Sequence, residues 1–236
     1  MNKLYLPNFN LYATLLGGQS FSWNKVEGEE DSFVGTTSSH LIKVKRVGEN
    51  IFWQTYPKKD DLDYFSKYFR LNDNYEDIVN KYPKDEYVKK ALERFKDIRI
   101  LQQEFEDALI GYICSSNKNI KGIRVCIRNL SEKFGEEIEV EGDKYKLFPK
   151  IEKLSKAEIS ELLETKIGFR AKYVKEASER YVKGEFENIN NEDYEVAKSR
   201  LIQLKGVGDK VADCVLLYSL KHDHVLPLDV WGKRIV

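Results

Sequence analysis

Cysteine is scarce in this 236-residue chain: Cys114, Cys126 and Cys214 are the full set, and no two form a CxxC pair. That spacing excludes a zinc ribbon, and three thiols are too few for a four-cysteine iron–sulfur cluster. An odd number of scattered cysteines reads as reduced thiols rather than a disulfide framework. Histidine is equally sparse. His40, His222 and His224 make no HExxH pattern, and the two in Lys221-His222-Asp223-His224 read as a solvated turn. Metal-dependent hydrolysis is therefore a poor expectation, and no catalytic metal is expected. No run approaches the ~18 apolar residues of a membrane helix. The N-terminal stretch MNKLYLPNFNLY lacks the apolar core of a secretory signal. A cytoplasmic location follows as the expectation. A charge of one sign is missing too, since 39 Lys and Arg face 39 Asp and Glu. Overall neutrality does not exclude a polyanionic partner, because what matters is where the charges fall.

Aromatic residues are plentiful: 12 Phe, 14 Tyr and 3 Trp in a chain that is 42% hydrophobic. They need burial, which argues against disorder. The length suits one large domain or two modest ones.

Stretches 19–26, 33–36, 41–47 and 51–56 are short, rich in aromatic or β-branched residues, and punctuated by Gly28, Gly35 and Gly48-Glu49-Asn50. They predict an antiparallel meander. Leu41, Lys43 and Lys45 alternate with Ile42, Val44 and Arg46, which predicts one buried and one wet sheet face. From about residue 60 the period changes to helical. Leu62, Phe65 and Phe69 share a face, as do Val88, Ala91, Leu92 and Phe95. Ile120, Ile123, Ile127, Leu130 and Phe134 form the clearest stripe, and Tyr173, Ala177 and Tyr181 another. A helix through Tyr194, Ala197, Leu201 and Leu204 ends at Gly206. The next starts at Asp209 and is apolar around most of its circumference, which predicts a buried, central helix. Strands first and helices afterwards predict an α+β protein. Residues 1–98 would form an N-terminal antiparallel sheet domain with flanking helices, and 99–236 a mainly helical one.

Two helical stretches are basic. Residues 117–134 hold Lys118, Lys121, Arg124, Arg128 and Lys133 against Glu132 alone; residues 166–183 hold six basic residues against Glu176 and Glu179. Such segments can track a phosphate backbone, although a solvated helix face is the plainer reading. Between the last two helices lies Leu204-Lys205-Gly206-Val207-Gly208-Asp209-Lys210. A glycine-flanked turn onto a helix N-terminus can hold a phosphate without reading a base. An ordinary helix-turn-helix corner would look the same. Lys210 sits in the first turn of an apolar helix, where the positive helix end and partial burial favour the free amine, a nucleophile able to form a Schiff base. Asp229 follows in Leu226-Pro227-Leu228-Asp229. An amine and a carboxylate together suit attack at a sugar C1′ carbon. Cys214 shares the face of Lys210, either to pack against a flat ligand or as a small core thiol.

LKGVGDKVADC followed by LPLDVW resembles the helix-hairpin-helix DNA glycosylases, and specifically the 8-oxoguanine DNA glycosylase family. Three further segments agree in order: GGQSFSW at 17–23, ICSSNKNI at 113–120 and IGFRAKYV at 167–174. The resemblance runs from about residue 9 to the end. It implies a bifunctional enzyme that excises 8-oxoguanine from double-stranded DNA and nicks the strand by β-elimination, with no cofactor, acting as a monomer. Such an enzyme would be nucleoid-associated in a bacterium and nuclear in a eukaryote. Lys210 would be the nucleophile and Asp229 the catalytic carboxylate. Gly18, through its carbonyl, Cys214 and Phe21 would contact the base. Asn117, Phe169, Arg170, Gly206, Val207, Gly208 and Trp231 would contact DNA, with Asn117 filling the gap and Arg170 meeting the orphaned cytosine. Carbonyls of Ile202, Leu204 and Val207 would hold a monovalent cation. The chain departs from the family pattern at Lys205 (usually proline), Phe169 (tyrosine in the animal type), Trp231 (histidine) and Gly122, where an arginine would read the opposite cytosine. Looser opposite-base preference is therefore expected, and family members continue with further helices beyond the point matching Val236. Two rivals are a glycosylase for another damaged base and a non-catalytic helix-hairpin-helix DNA-binding protein.

Overall fold

The computed structural model describes residues 1–80, 85–95, 97–229 and 232–234. The N-terminal part carries five antiparallel strands in the order β1-β5-β4-β3-β2, namely β1 (Asn2–Tyr5), β2 (Trp23–Lys25), β3 (Ser32–Thr36), β4 (Leu41–Val47) and β5 (Asn50–Tyr56). Helix α1 (Leu11–Leu16) links β1 to the meander, and α2 (Leu62–Tyr68), α3 (Tyr75–Asn80) and α4 (Glu86–Phe95) follow it. Phe33, Val44 and Trp53 stand opposite one another across β3, β4 and β5. That face, with Ile42 and Ile51, closes against Phe9 and Leu15 on one side and Phe65 and Phe69 on the other. Each such fully buried side chain contributes ~1.5–3 kcal/mol.

The second sheet face is not wet, as alternation alone predicts. A hairpin of β6 (Glu137–Val140) and β7 (Asp143–Lys146) lies over it. Val140 and Leu147 bury Leu41, and Lys43 reaches Glu141 at 2.8 Å while lying over the Tyr145 ring. The lysine stays at the protein edge because an acid from 98 residues away meets it.

The larger helical part contains α5 (Phe105–Ser115), α6 (Ile120–Phe134), α7 (Ile151–Lys156), α8 (Ile159–Glu164), α9 (Ala171–Val182), α10 (Tyr194–Leu201) and α11 (Asp209–Leu220). α5 and α11 form its centre. Residues 107–114 of α5 are all buried, and so are 211–217 of α11. The two helices meet through stacked Tyr112 and Tyr218, whose rings are 5.8 Å apart. Asn119 caps α6 by accepting from the Gly122 N–H at 2.8 Å. The architecture is α+β, sheet first and helices after. Among the described residues no helix is long and apolar enough to cross a membrane.

Candidate active site and nucleic-acid interface

The α10–α11 connection is built by two glycines with different duties. Gly206 has φ +84°, and a Cβ there would lie 2.4 Å from Cδ2 of Tyr173 on α9. Only glycine allows both the left-handed turn and the close approach. Val207 is buried, anchoring the turn in the helical core. Gly208 is exposed and N-caps α11 without any side-chain cap. Two glycine backbones therefore face outward around one buried valine, next to the uncapped N–H groups of a helix.

Two residues beyond Gly208, half-buried Lys210 turns inward. Its Nζ lies 5.2 Å from the centre of the Tyr112 ring. Burial pushes the Cys214 thiol up, a hydrogen bond and the charge of Lys210 pull it down, and the charges of Asp213 and Asp229 push it up again. Lys210 and Cys214 are thus neighbours on α11, and the charge of Asp229, from the loop after α11, reaches the thiol. Asp229 itself accepts from the Gly232 N–H at 2.8 Å.

Tyr112, Tyr218 and Gln19 complete this neighbourhood, and the motif reading passes over them. Tyr218 was accessible to helix geometry, since 210, 214 and 218 repeat every four residues. Tyr112 and Gln19 were not. Burial holds the Tyr112 phenol well above its ordinary value, so it remains a donor, and its hydroxyl donates to the Gln19 carbonyl at 2.8 Å. Gln103 donates to the same carbonyl at 2.8 Å. The Gln19 side chain donates to the Thr14 and Arg99 carbonyls and accepts from the Leu101 N–H. Gln19 is therefore pinned on every side, and this fixes the peptide that carries the Gly18 carbonyl. Gly18 has φ +99°, and a Cβ there would crowd Ile120 at 3.1 Å.

Two of the expected contact residues, Phe21 and Arg170, are buried. Phe21 is buried in the helical core, edge-on to Tyr112 at 5.5 Å, so it props the site from behind. Arg170 is 4% exposed. Its guanidinium donates to the carbonyls of Ser116 and Ile167 instead of standing free at the surface. It braces the turn at Asn117, an exposed residue with φ +50°. Buried carbonyls capture the guanidinium because an unpaired one there would be costly. Trp231 lies outside the described residues. Phe169 does stand out, 55% exposed, under the Arg170 guanidinium and edge-on to Tyr173. Contacts therefore run unbroken from Asn117 through Arg170 and Phe169 to Tyr173 and the Gly206 turn.

Part of the basic charge counted in sequence is neutralised in the fold. Lys133 pairs with Glu164, Lys175 with Glu179 at 3.3 Å, and Arg180 with Glu185 at 2.7 Å. His222 and His224 pack edge-on against Tyr194 at 6.1 and 5.3 Å, and the described residues contain no group of His, Cys, Asp and Glu that would hold a metal ion. Chemically, the arrangement offers an amine and a thiol beside an aromatic face, with a glycine-rich helix start next to them.

Comparison with known proteins agrees with this picture. Residues 3–109 match the model of the 8-oxoguanine DNA glycosylase N-terminal domain. An N-glycosylase/DNA lyase of Saccharomyces cerevisiae is 36% identical over 95% of this chain and 66% of its own length. An 8-oxoguanine glycosylase/lyase of Clostridium acetobutylicum, solved with double-stranded DNA containing cytosine opposite 8-oxoG, is 32% identical at a TM-score of 0.88, over 97% of this chain and 79% of its own. The same enzyme in its apo-form is 31% identical, TM-score 0.90, over 100% and 84%. The chain spans 66% of the length of the Saccharomyces relative and likewise of an Arabidopsis thaliana one. With the turn around Gly206, the inward lysine and these likenesses together, the chain belongs to the 8-oxoguanine DNA glycosylase family.

Proposed function

We propose that this chain excises 8-oxoguanine from duplex DNA and then cleaves the strand as a lyase. The observation that carries the reading is that Lys210, two residues past the outward Gly208 backbone, turns inward to lie 5.2 Å from the Tyr112 ring. The sheet unit (1–98) and the helical unit (99–236) together build the lesion pocket, because the Gly18 loop comes from the first and Lys210 from the second. The protein acts where chromosomal DNA is held, in the nucleoid or the nucleus.

The outward glycines Gly206 and Gly208 grip a phosphate through their backbone, and the damaged nucleotide leaves the stack at a cost of a few kcal/mol. The Gly18 carbonyl accepts from N7–H of the lesion. Guanine lacks that proton, and an unmatched buried acceptor costs ~1–3 kcal/mol, which is the selectivity. Cys214 lies against the base face. The Lys210 amine bonds to C1′ as the C1′–N9 bond breaks, and the base leaves with that electron pair and a proton. Asp229 offsets positive charge on the sugar and moves the proton. Opening the sugar ring turns the lysine adduct into a Schiff base. That acidifies C2′–H, and loss of its proton expels the 3′ phosphate. Asn117 and Phe169 occupy and wedge the gap. The carbonyls of Ile202, Leu204 and Val207 are hard, neutral donors that would hold a monovalent cation, which would supply positive charge for the DNA backbone. Leu204 O accepts from the Val207 N–H at 3.1 Å and keeps a second lone pair.

Borohydride trapping on an 8-oxoguanine duplex tests the reading. A covalent protein–DNA adduct is expected, and Lys210→Gln should abolish it while DNA binding persists. An adduct formed by Lys210→Gln, or a wild-type chain that forms none, would refute it.

A further inference from the structure

The loop that delivers Asp229 is held by a residue from the other part of the molecule. Arg70 lies just past α2 and its side chain is 4% exposed. Burying a guanidinium is costly unless its donors are met. Its Nε donates to Asp73 at 2.5 Å, a partner three residues away. Its two terminal nitrogens donate to the two oxygens of Asp223 at 2.7 and 2.6 Å, 153 residues away. This fork-on-fork pairing constrains angle as well as distance. Lys221, next to that loop, lies 3.6 Å from Asp73 and adds a second link.

Asp223 belongs to the turn that begins where α11 ends at Lys221, in the left-handed region at φ +60°. From 221 to 229 the chain has neither helix nor strand. Its course is therefore set by its anchors rather than by a hydrogen-bond ladder. On one side Tyr194 of α10 receives the rings of His222 and His224. In the middle Val225 is buried. On the other side stands Arg70. Asp229 comes six residues after Asp223, so freedom at the clamp is passed to the carboxylate.

We propose that Arg70, acting through Asp223, is a positioning residue for Asp229; this rests on the role given to Asp229 above. The sheet-bearing half of the chain thereby sets the geometry of a carboxylate contributed by the helical half.

The test uses Asp223→Asn, because Asp223 is half exposed and Arg70 keeps Asp73. Single-turnover excision from an 8-oxoguanine duplex should slow about tenfold, with DNA affinity changed by less than about twofold. In an Asp229→Asn background the same change should cost nothing further, since it acts only through that group. Hydrogen exchange of the Val225 amide, which donates to the His222 carbonyl at 3.2 Å, should rise in Asp223→Asn. Full excision rate in Asp223→Asn, losses that add in the double variant, or unchanged exchange would each overturn the proposal. If the wild-type protein excises nothing, the functional reading fails by itself, and the exchange measurement still decides whether Arg70 holds the loop.

Discussion

Replacing the two hairpin glycines one at a time separates folding from phosphate binding. At Gly206 an alanine must adopt φ +84°, which costs about 1–2 kcal/mol for an L-residue. Its Cβ would also stand 2.4, 2.8 and 3.0 Å from three ring carbons of Tyr173. The ring must move, and overpacking of that kind costs about 1–3 kcal/mol. Gly206→Ala should therefore lose about 2–5 kcal/mol in urea unfolding. Because Phe169 rests edge-on against Tyr173, the displacement reaches the exposed wedge as well. Gly208 is the contrast. It has no atom within 4 Å of an added Cβ, and its φ of −103° is open to any residue. Alanine there loses some N-cap preference but restricts the unfolded chain, and the two effects cancel to within about 0.5 kcal/mol. Its methyl nonetheless covers backbone that would approach a phosphate. Gly208→Ala should fold normally yet bind duplex DNA about tenfold more weakly, with the salt dependence reduced by about one phosphate. Fluorescence anisotropy over a salt series reads both quantities. A Gly208→Ala protein with unchanged affinity would refute the phosphate role, and an unaltered midpoint for Gly206→Ala would refute the packing argument.

Further consequences concern groups away from the nucleophile. Arg170→Met strips the donor from the part-buried Ser116 carbonyl and the buried Ile167 carbonyl; at about 1–3 kcal/mol for the orphaned buried acceptor, urea unfolding should register the loss, and a change near zero would contradict the bracing role. Asp107 is buried, and burial first, then the Glu104 charge, raises its carboxyl well above the ordinary value against the opposing hydrogen bond from Ser38. A raised folded-state value means this contribution is full below the unfolded-state value and is lost as pH rises through the folded one. Asp107→Asn should flatten that part of the stability–pH curve, and an unchanged curve would show that another group causes it. Gly122 presents no side chain, and Lys118 packs across its place; excision at comparable rates opposite all four bases is expected, and strict dependence on cytosine would count against it.

What could be read locally depends on whether an element shows one face to solvent. α6 has a buried stripe and a wet side, so its period is plain in the sequence and the helix spans Ile120–Phe134. β4 alternates over Leu41–Val47 in sequence, yet its second face is covered by the β6–β7 hairpin, which the alternation does not show. α5 is buried all round, which removes the period, and it was legible only through the Cys114 motif. The β6–β7 hairpin is short and rich in charge, so it resembles a loop until Leu41 and Tyr56 are seen beneath it. The basic stretches carry less free charge in the fold than in the sequence, because Lys133 and Arg180 pair with Glu164 and Glu185.

By itself the sequence determined the order of sheet and helices, the two-glycine turn, the lysine in the first turn of an apolar helix and the family. These depend on neighbours within a few residues, where period, capping and turn chemistry act. The tertiary structure alone decided that Lys210 meets Tyr112, that Arg170 donates to the Ser116 carbonyl, and that Arg70 closes on Asp223. Those contacts span from 54 to 153 residues. Their geometry is set by which buried faces close on each other, and no local pattern records that.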